Sequence, residues 1–142
     1  MTNENLLEIN NIEEVIESLT EFIKEQVNTN FKKKGVVIGL SGGLDSSLIA
    51  TLCVKALGPK NVFGIILPEK ESNPDSVILA KNLAGKLGID TKIIDITNTL
   101  ESLDVYKIKN EIIRKYFPTF NEKSKYRIVV PQDLIDRDGV GF

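Results

Sequence analysis

Residues 35–47 read GVVIGLSGGLDSS, an apolar run that gives way to serine and glycine before a helical pattern begins. Residues 36–38 are β-branched and too few for a buried helix, so they predict an interior strand of a parallel sheet. Beyond the loop, apolar residues recur every three or four positions until Gly58 and Pro59. This spacing predicts one helix with a defined end.

The loop between this strand and helix, residues 41–47, has the composition of an anion-binding site. Gly42 and Gly43 permit positive φ angles and let the backbone approach a ligand without an intervening Cβ atom. The helix start adds amide groups that lack intrahelical partners, and the positive end of the helix dipole. Hydroxyl groups complete the predicted phosphate cradle, from Ser41, Ser46 and Ser47. As an alternative, the glycines form only a tight turn, with Asp45 or Ser46 capping the helix.

Asp45 is the only acidic residue in this loop. The common GxxxxGK[ST] loop places a lysine at the phosphates, and this loop has no lysine. A carboxylate about 4 Å from a phosphate charge costs on the order of 4 kcal/mol at an effective dielectric constant of about 20. We therefore assign Asp45 to Mg²⁺, an ion that is usually held by substrate phosphates, water and one or two carboxylates.

Composition restricts the class of protein. The chain of 142 residues is 42% hydrophobic and 27% charged, which predicts an α/β domain with one core. Its net charge is −2, and because it contains no histidine we expect no imidazole metal site. Only residues 32–34 form a basic run, so we expect no nucleic-acid partner. No apolar stretch could cross a membrane and the N-terminus lacks a leader pattern, so we expect no membrane partner and a cytoplasmic protein. Cys53 lies on the apolar side of a helix, which favours a core position.

Strands and helices alternate along the rest of the chain. Further strands are predicted at residues 62–67 and 91–96, and a helix begins at Pro74 and ends at Gly88. An amphipathic helix precedes the first strand, one or two helices follow the third, and residues 126–130 are a further candidate strand. This alternation predicts a doubly wound parallel sheet with helices on both faces. Right-handed connections place the second strand beside the first and the third strand beyond it.

We predict a single domain over residues 1–142. A leading amphipathic helix occupies residues 1–33, the nucleotide-binding βαβαβ core occupies residues 35–97, and a helical and irregular tail occupies residues 98–142. The open edge of the first strand is filled by residues 126–130, pairs with another subunit, or is left by an incomplete chain.

Residues 39–46, GLSGGLDS, resemble the GxSGGxDS signature of the PP-loop ATP pyrophosphatases. Members of that superfamily cleave ATP between its α- and β-phosphates. The helix before the first strand, the sequence VFGIILP at residues 62–68 and SNPD at residues 72–75 narrow the resemblance to the ammonia-dependent NAD synthetases. The resemblance covers residues 5–97 and is looser beyond residue 116. It implies that the single domain of residues 1–142 is of the ATP-pyrophosphatase type.

The resemblance implies an ATP site built by the signature and by the end of the second strand. The expected ATP-binding residues are Gly39, Leu40, Ser41, Gly42, Gly43, Leu44, Asp45, Ser46, Ser47 and Leu67. Asp45 is also the expected Mg²⁺ ligand. Leu67 is expected to contact the adenine through its backbone, or else to be only the last core residue of its strand. No residue is expected to act as a covalent nucleophile, so we assign no catalytic residue.

The resemblance also implies an amide-forming ligase that uses ATP, deamido-NAD and ammonia. The nicotinate carboxylate of deamido-NAD attacks the α-phosphate of ATP, pyrophosphate leaves, and ammonia then displaces AMP to give NAD. Members of this family run well past 142 residues, so we expect the chain to be the N-terminal part of such an enzyme, inactive by itself. We also expect a homodimer.

Two alternatives stay open from the sequence. Other PP-loop ATP pyrophosphatases, such as amidotransferase synthetase subunits, share the loop, and so would a module that binds ATP without turnover. The acid that is activated and the source of nitrogen, ammonia or glutamine, are not encoded in the loop. The tRNA-thiolating relatives fit poorly, because they are expected to carry reactive cysteines and a basic surface.

Overall fold

A computed structural model describes residues 11–121 and residue 124. In chain order the described elements are α1 (Ile12–Glu25), β1 (Val36–Gly39), α2 (Leu44–Leu57), β2 (Val62–Ile66), α3 (Pro74–Leu87), β3 (Asp90–Ile93), α4 (Thr97–Ser102) and α5 (Val105–Tyr116). A π-helical segment, Gln26–Asn30, extends α1, and a short 3-10 helix, Pro59–Asn61, precedes β2. The chain divides into two compact units, Met1–Thr99 and Leu100–Phe142.

The three strands form one parallel sheet in the order β1-β2-β3. Val36 pairs with Val62, and Phe63 pairs with Asp90, so all three strands run in the same direction with closely matched starts. This order is the one predicted from right-handed connections, and the parallel sheet with flanking helices is confirmed. β1 forms one edge of the described sheet. The predicted strand at residues 126–130 lies outside the described residues.

The core of the first unit lies between one face of the sheet and the helices α2 and α3. Val62 and Ile66 of β2 belong to one buried cluster with Cys53 of α2. Ala50 of α2 and Ala80 of α3 are fully buried in the same cluster, where their small side chains let each helix approach the sheet closely. The predicted core position of Cys53 is confirmed, and burial raises the pKa of its thiol.

Local signals set the ends of α2 and α3. α2 ends at Gly58, which adopts a φ of 81°. α3 begins after Asn73, whose side-chain oxygen accepts a hydrogen bond from the Asp75 amide at 3.0 Å, and Pro74 occupies the first helical position. Gly88 ends α3 in the left-handed conformation. These boundaries agree with the predictions, because capping residues act through local geometry.

β3 differs from its predicted span of residues 91–96. It begins at Asp90 and ends at Ile93, three residues early. The amides of Ile94 and Ile96 still donate to the carbonyl oxygens of Ile66 and Pro68, so the chain stays beside the end of β2. α4 then begins at Thr97, whose amide donates to a carboxylate oxygen of Asp95 at 2.8 Å. Hydrogen bonds from the side chain and backbone of Thr97 lower the pKa of Asp95.

α1 is amphipathic, as predicted, but none of its residues is fully buried. Ile12 and Phe22 on its apolar side are 59% and 58% exposed. Lys32 follows the π-helical segment with a φ of 52°, which ends the helical path, and residues 32–34 are all exposed. The basic run therefore lies in solvent at the end of the first helix.

The second unit contains α5, which follows Asp104. Two helices, α4 and α5, occupy the region where one or two were predicted. The Arg114 side chain donates a hydrogen bond to the carbonyl oxygen of Phe120 at 3.2 Å, which closes the chain back onto the end of α5. Across the described residues, every helix is too short or too polar to span a membrane.

Candidate functional site

The candidate site lies at the edge of the sheet where β1 and β2 end. Loops that follow parallel strands meet at this edge, where nucleotides commonly bind in α/β folds. The amide of Leu40 donates to the carbonyl oxygen of Ile65 at 2.8 Å, and the Leu40 side chain is buried. The chain therefore leaves the sheet at Ser41, and the loop that follows is free to reach outward.

The first turn of α2 carries amide groups without protein partners. Gly43 is the N-cap, and no side chain caps this end of the helix. The first bond into the helix runs from the Ser47 amide to the Gly43 carbonyl oxygen, at 3.2 Å. Within the described part of the chain, the amides of Leu44, Asp45 and Ser46 donate to no acceptor. These donors and the helix dipole are the groups that bind anions at helix starts in other proteins. Gly43 is the N-cap, so the alternative cap at Asp45 or Ser46 is wrong.

Serine hydroxyl groups hold the loop in shape. The hydroxyls of Ser46 and Ser47 donate to the Gly43 carbonyl oxygen at 3.1 and 2.7 Å. The Ser41 hydroxyl oxygen accepts from the Gly43 amide at 3.2 Å and lies 3.1 Å from the Ser46 hydroxyl oxygen. Since the hydrogen of Ser46 is directed to Gly43, Ser41 is the donor in that last contact. All three hydroxyl hydrogens then form hydrogen bonds inside the loop. The amides of Leu44, Asp45 and Ser46 are therefore the donors available to a ligand.

Gly42 joins this loop to the first turn of α3. It adopts a φ of 78°, and a Cβ atom there would lie 2.5 Å from the carbonyl oxygen of Ser76 and 3.1 Å from Cβ of Leu79. Both the conformation and the close approach require glycine. Gly43 is less constrained, because its φ is −83° and a Cβ atom would meet only the Ser41 hydroxyl oxygen, at 3.3 Å.

A cleft of about 210 Å³ opens beside the loop. Its lining residues come from the ends of β1 and β2, from the β2–α3 connection and from the start of α3; they are Leu40, Ser41, Ile66, Leu67, Pro68, Ser72, Asn73, Ser76 and Val77. Leu40 and Ile66 are each only 3% exposed and give the cleft an apolar floor. Serine and asparagine side chains surround that floor. An apolar floor with a polar rim is typical of sites for small organic ligands.

Backbone groups of Leu67 face this cleft. At the end of β2, the backbone carbonyl oxygens of successive residues accept hydrogen bonds from opposite sides of the strand. Ile65 accepts from the Leu40 amide on the β1 side, whereas Ile66 accepts from the Ile94 amide on the β3 side, at 2.9 Å. Pro68 accepts from the β3 side again, from the amide of Ile96 at 3.0 Å. By this alternation the amide and carbonyl of Leu67 are directed to the β1 side, beyond the last bond between the two strands. No hydrogen bond to Leu67 is formed within residues 11–121.

Asp45 is exposed and occupies the second position of α2. A carboxylate here interacts favourably with the helix dipole in the absence of a ligand. Among the residues that the structure describes, no three acidic, cysteine or histidine side chains are grouped as a metal cage.

The structure brings the predicted site residues together around this edge. Leu40, Ser41 and Leu67 line the cleft, and residues 42–47 form the adjoining loop and helix start. Gly39 lies in β1 and does not line the cleft. The sequence analysis missed Ser76 and the other lining residues of α3, because they follow the loop by about 30 positions; the only local signal there was the Asn73-Pro74 helix start.

We expect Gly42→Ala to destabilise the chain by about 2 kcal/mol or more, since the added methyl group meets the Ser76 carbonyl and φ is positive. Gly43→Ala is the matched control and should cost about 1 kcal/mol or less. Urea unfolding monitored by circular dichroism measures both values. Equal losses for the two variants would contradict the proposed contact between the loop and α3.

Comparison with known proteins identifies the family. The family model described as NAD synthase matches residues 15–134. NH(3)-dependent NAD(+) synthetases from Mesorhizobium japonicum and Methanococcus aeolicus are 34% and 52% identical to the chain over 127 and 92 residues, which are 89% and 65% of it. These alignments span only 40% and 36% of the length of those relatives. The solved NH3-dependent NAD synthetase of Campylobacter jejuni matches with a TM-score of 0.63 and 32% identity, over 78% of this chain and 50% of that one. The chain therefore belongs to the NAD synthase family.

Proposed function

We propose that the site binds ATP, with the adenine in the cleft and the phosphates on the first turn of α2. The observation that carries this proposal is the junction of the two features at Ser41, which both lines the cleft and begins the phosphate loop. The cleft volume of about 210 Å³ is below the roughly 300–1,000 Å³ of pockets that enclose whole drug-sized ligands. It therefore suits the nucleoside portion alone.

Adenine recognition is assigned to the backbone of Leu67. The inferred direction of its amide and carbonyl supports one donor and one acceptor at the cleft. The amide can donate to N1 of adenine while the carbonyl accepts from the exocyclic N6 amino group. Guanine presents the opposite pattern at the same positions, an N1 hydrogen and an O6 acceptor, so it would leave both backbone groups unpaired.

Asp45 is assigned to Mg²⁺. An exposed carboxylate two residues after the N-cap lies beside the amides proposed for the phosphates, and a hard oxygen ligand in that position suits Mg²⁺. When bound there, the ion neutralises phosphate charge. The amides of residues 44–46 would hold the leaving pyrophosphate and stabilise the charge that develops on it.

The complete reaction proposed is that of an ammonia-dependent NAD synthetase, a cytoplasmic carbon–nitrogen ligase. Family membership supports this, together with a site built for ATP. The carboxylate of deamido-NAD attacks the α-phosphate of ATP and releases pyrophosphate, after which ammonia displaces AMP. The chain spans about 40% or less of its curated relatives, so deamido-NAD and ammonia are proposed as substrates of the whole enzyme. The reaction is tested by incubating the whole enzyme with ATP and a panel of carboxylic acids and measuring AMP and pyrophosphate. Release of both products with an acid other than deamido-NAD, and not with deamido-NAD, would contradict it.

We expect the chain to bind ATP at least about tenfold more tightly than GTP, because GTP leaves the two Leu67 backbone groups unpaired. Two further nucleotides separate hydrogen bonding from size. ITP carries the guanine pattern at N1 and O6 without the 2-amino group and should bind as weakly as GTP, whereas 2-amino-ATP should bind nearly as well as ATP. Isothermal titration calorimetry measures all four, and ITP binding as tightly as ATP would refute the role of Leu67.

We expect Asp45→Asn to change ATP affinity in opposite directions with and without metal. With Mg²⁺ present, affinity should fall about tenfold because a metal ligand is lost; with chelator present, it should rise by a similar factor because a repelling charge is removed. Asp75→Asn is the matched control, since Asp75 occupies the same position at the start of α3. Unchanged Mg²⁺ dependence in Asp45→Asn would exclude the metal role.

We propose that the 142-residue chain self-associates through β1, which is an edge strand of the described sheet and carries Val37, 65% exposed, on one face. Sedimentation equilibrium should then give a mass above that of one chain. Val37→Glu should restore a monomer, while Ile78→Glu, at a similarly exposed position of α3, should not. A wild-type monomer at all concentrations would rule out this interface.

A further inference from the structure

We propose that Glu69 is a positioning residue that holds the rim of the nucleotide cleft through Ser72; this inference rests on the proposed function. The rim is the turn of residues 69–72. Pro68 and Asn73 flank this turn, and both line the cleft, as does Ser72 itself. Glu69 is not among the lining residues, so its effect on a ligand would be exerted through the turn.

The turn is closed by a reciprocal set of hydrogen bonds between Glu69 and Ser72. The Ser72 hydroxyl accepts from the Glu69 amide at 3.1 Å and donates to one carboxylate oxygen of Glu69 at 3.2 Å. The Ser72 amide donates to the Glu69 carbonyl oxygen at 2.9 Å. The other carboxylate oxygen accepts from the Glu71 amide, also at 2.9 Å. One half-buried side chain therefore binds its own turn at two points.

Both carboxylate oxygens are needed for this arrangement. A glutamine has the same length but only one side-chain acceptor oxygen. If that oxygen accepts from the Glu71 amide, the contact with Ser72 has to reverse, with the glutamine NH₂ group donating to the hydroxyl oxygen. Hydrogen bonds to an ionised group are also stronger than neutral ones. Glu69→Gln should therefore loosen the turn without changing its size.

Hydrogen bonds on either side of the turn should limit the effect of Glu69→Gln to residues 69–72. Before the turn, the carbonyl oxygen of Pro68 accepts from the Ile96 amide. After the turn, Asn73 caps α3 through its own side chain. Neither anchor depends on Glu69, so α3 and the sheet should persist when the turn opens. The apparent dissociation constant for ATP is then inversely proportional to the fraction of molecules whose rim is in place.

The test compares Glu69→Gln and Ser72→Ala with two controls in the whole 142-residue chain. Glu71→Gln removes the same charge from the same turn but keeps the backbone amide that binds Glu69. Ser72→Thr keeps the hydroxyl that Ser72→Ala removes. Titration calorimetry with ATP and MgCl₂ gives affinity, thermal unfolding gives global stability, and amide hydrogen exchange reports on residues 69–72.

We expect Glu69→Gln and Ser72→Ala to weaken ATP binding by about five- to tenfold and to speed exchange at residues 69–72, with melting temperatures close to that of the wild type. Glu71→Gln and Ser72→Thr should bind as the wild type does. If the wild type binds ATP and Glu69→Gln binds equally well, the positioning role is wrong and the proposed function stands. If the wild type does not bind ATP, the proposed function fails and this inference fails with it.

Discussion

The contact between Gly42 and the Ser76 carbonyl determines how the site is assembled. It brings the first turn of α2 and the first turn of α3 to the same edge of the sheet, although the two helices lie in different crossover units. A parallel sheet makes such a meeting possible because its strands end at a common edge. The glycine makes it close, because a side chain at that position would hold the two helix starts apart. The cleft and the loop of residues 41–47 are adjacent as a consequence.

The serine hydroxyls have a different role in the structure from the one that composition suggests. A cluster of Ser41, Ser46 and Ser47 reads as a set of donors for phosphate, yet their hydrogens are engaged within the loop. Three hydroxyl contacts involve Gly43, which has no side chain of its own with which to hold the helix start. The serines thus fix the backbone while the amides of residues 44–46 stay unpaired. Such preorganisation favours anion binding because little reordering is needed when the ligand arrives.

The sequence was sufficient for features that depend on neighbouring residues. The strand before the loop, the end of α2 at Gly58 and the start of α3 at Asn73 and Pro74 all follow from local geometry, and the strand order follows from the handedness of crossovers. The α3 side of the cleft could not be predicted in the same way. Ser76 and Val77 resemble any first-turn residues of a helix until Gly42 packs against them. The start of α4 after β3 is likewise local, because Asp95 accepts a hydrogen bond from the Thr97 amide there.

The position of Asp45 can be explained by its stabilising effect on α2 and by the proposed Mg²⁺ site, and the two explanations are related. An acid at the second position of α2 interacts favourably with the helix dipole, as Asp75 does at the start of α3, so its presence alone does not indicate a metal. The difference between the two acids lies in what surrounds them. The amides of α3 are capped by Asn73, whereas those of α2 have no capping side chain. An anion that binds the uncapped amides must approach the carboxylate of Asp45, and two negative charges at that distance repel each other unless a cation lies between them. The uncapped amides of α2 are therefore what distinguishes Asp45 from Asp75 and what supports the proposal that Asp45 holds Mg²⁺.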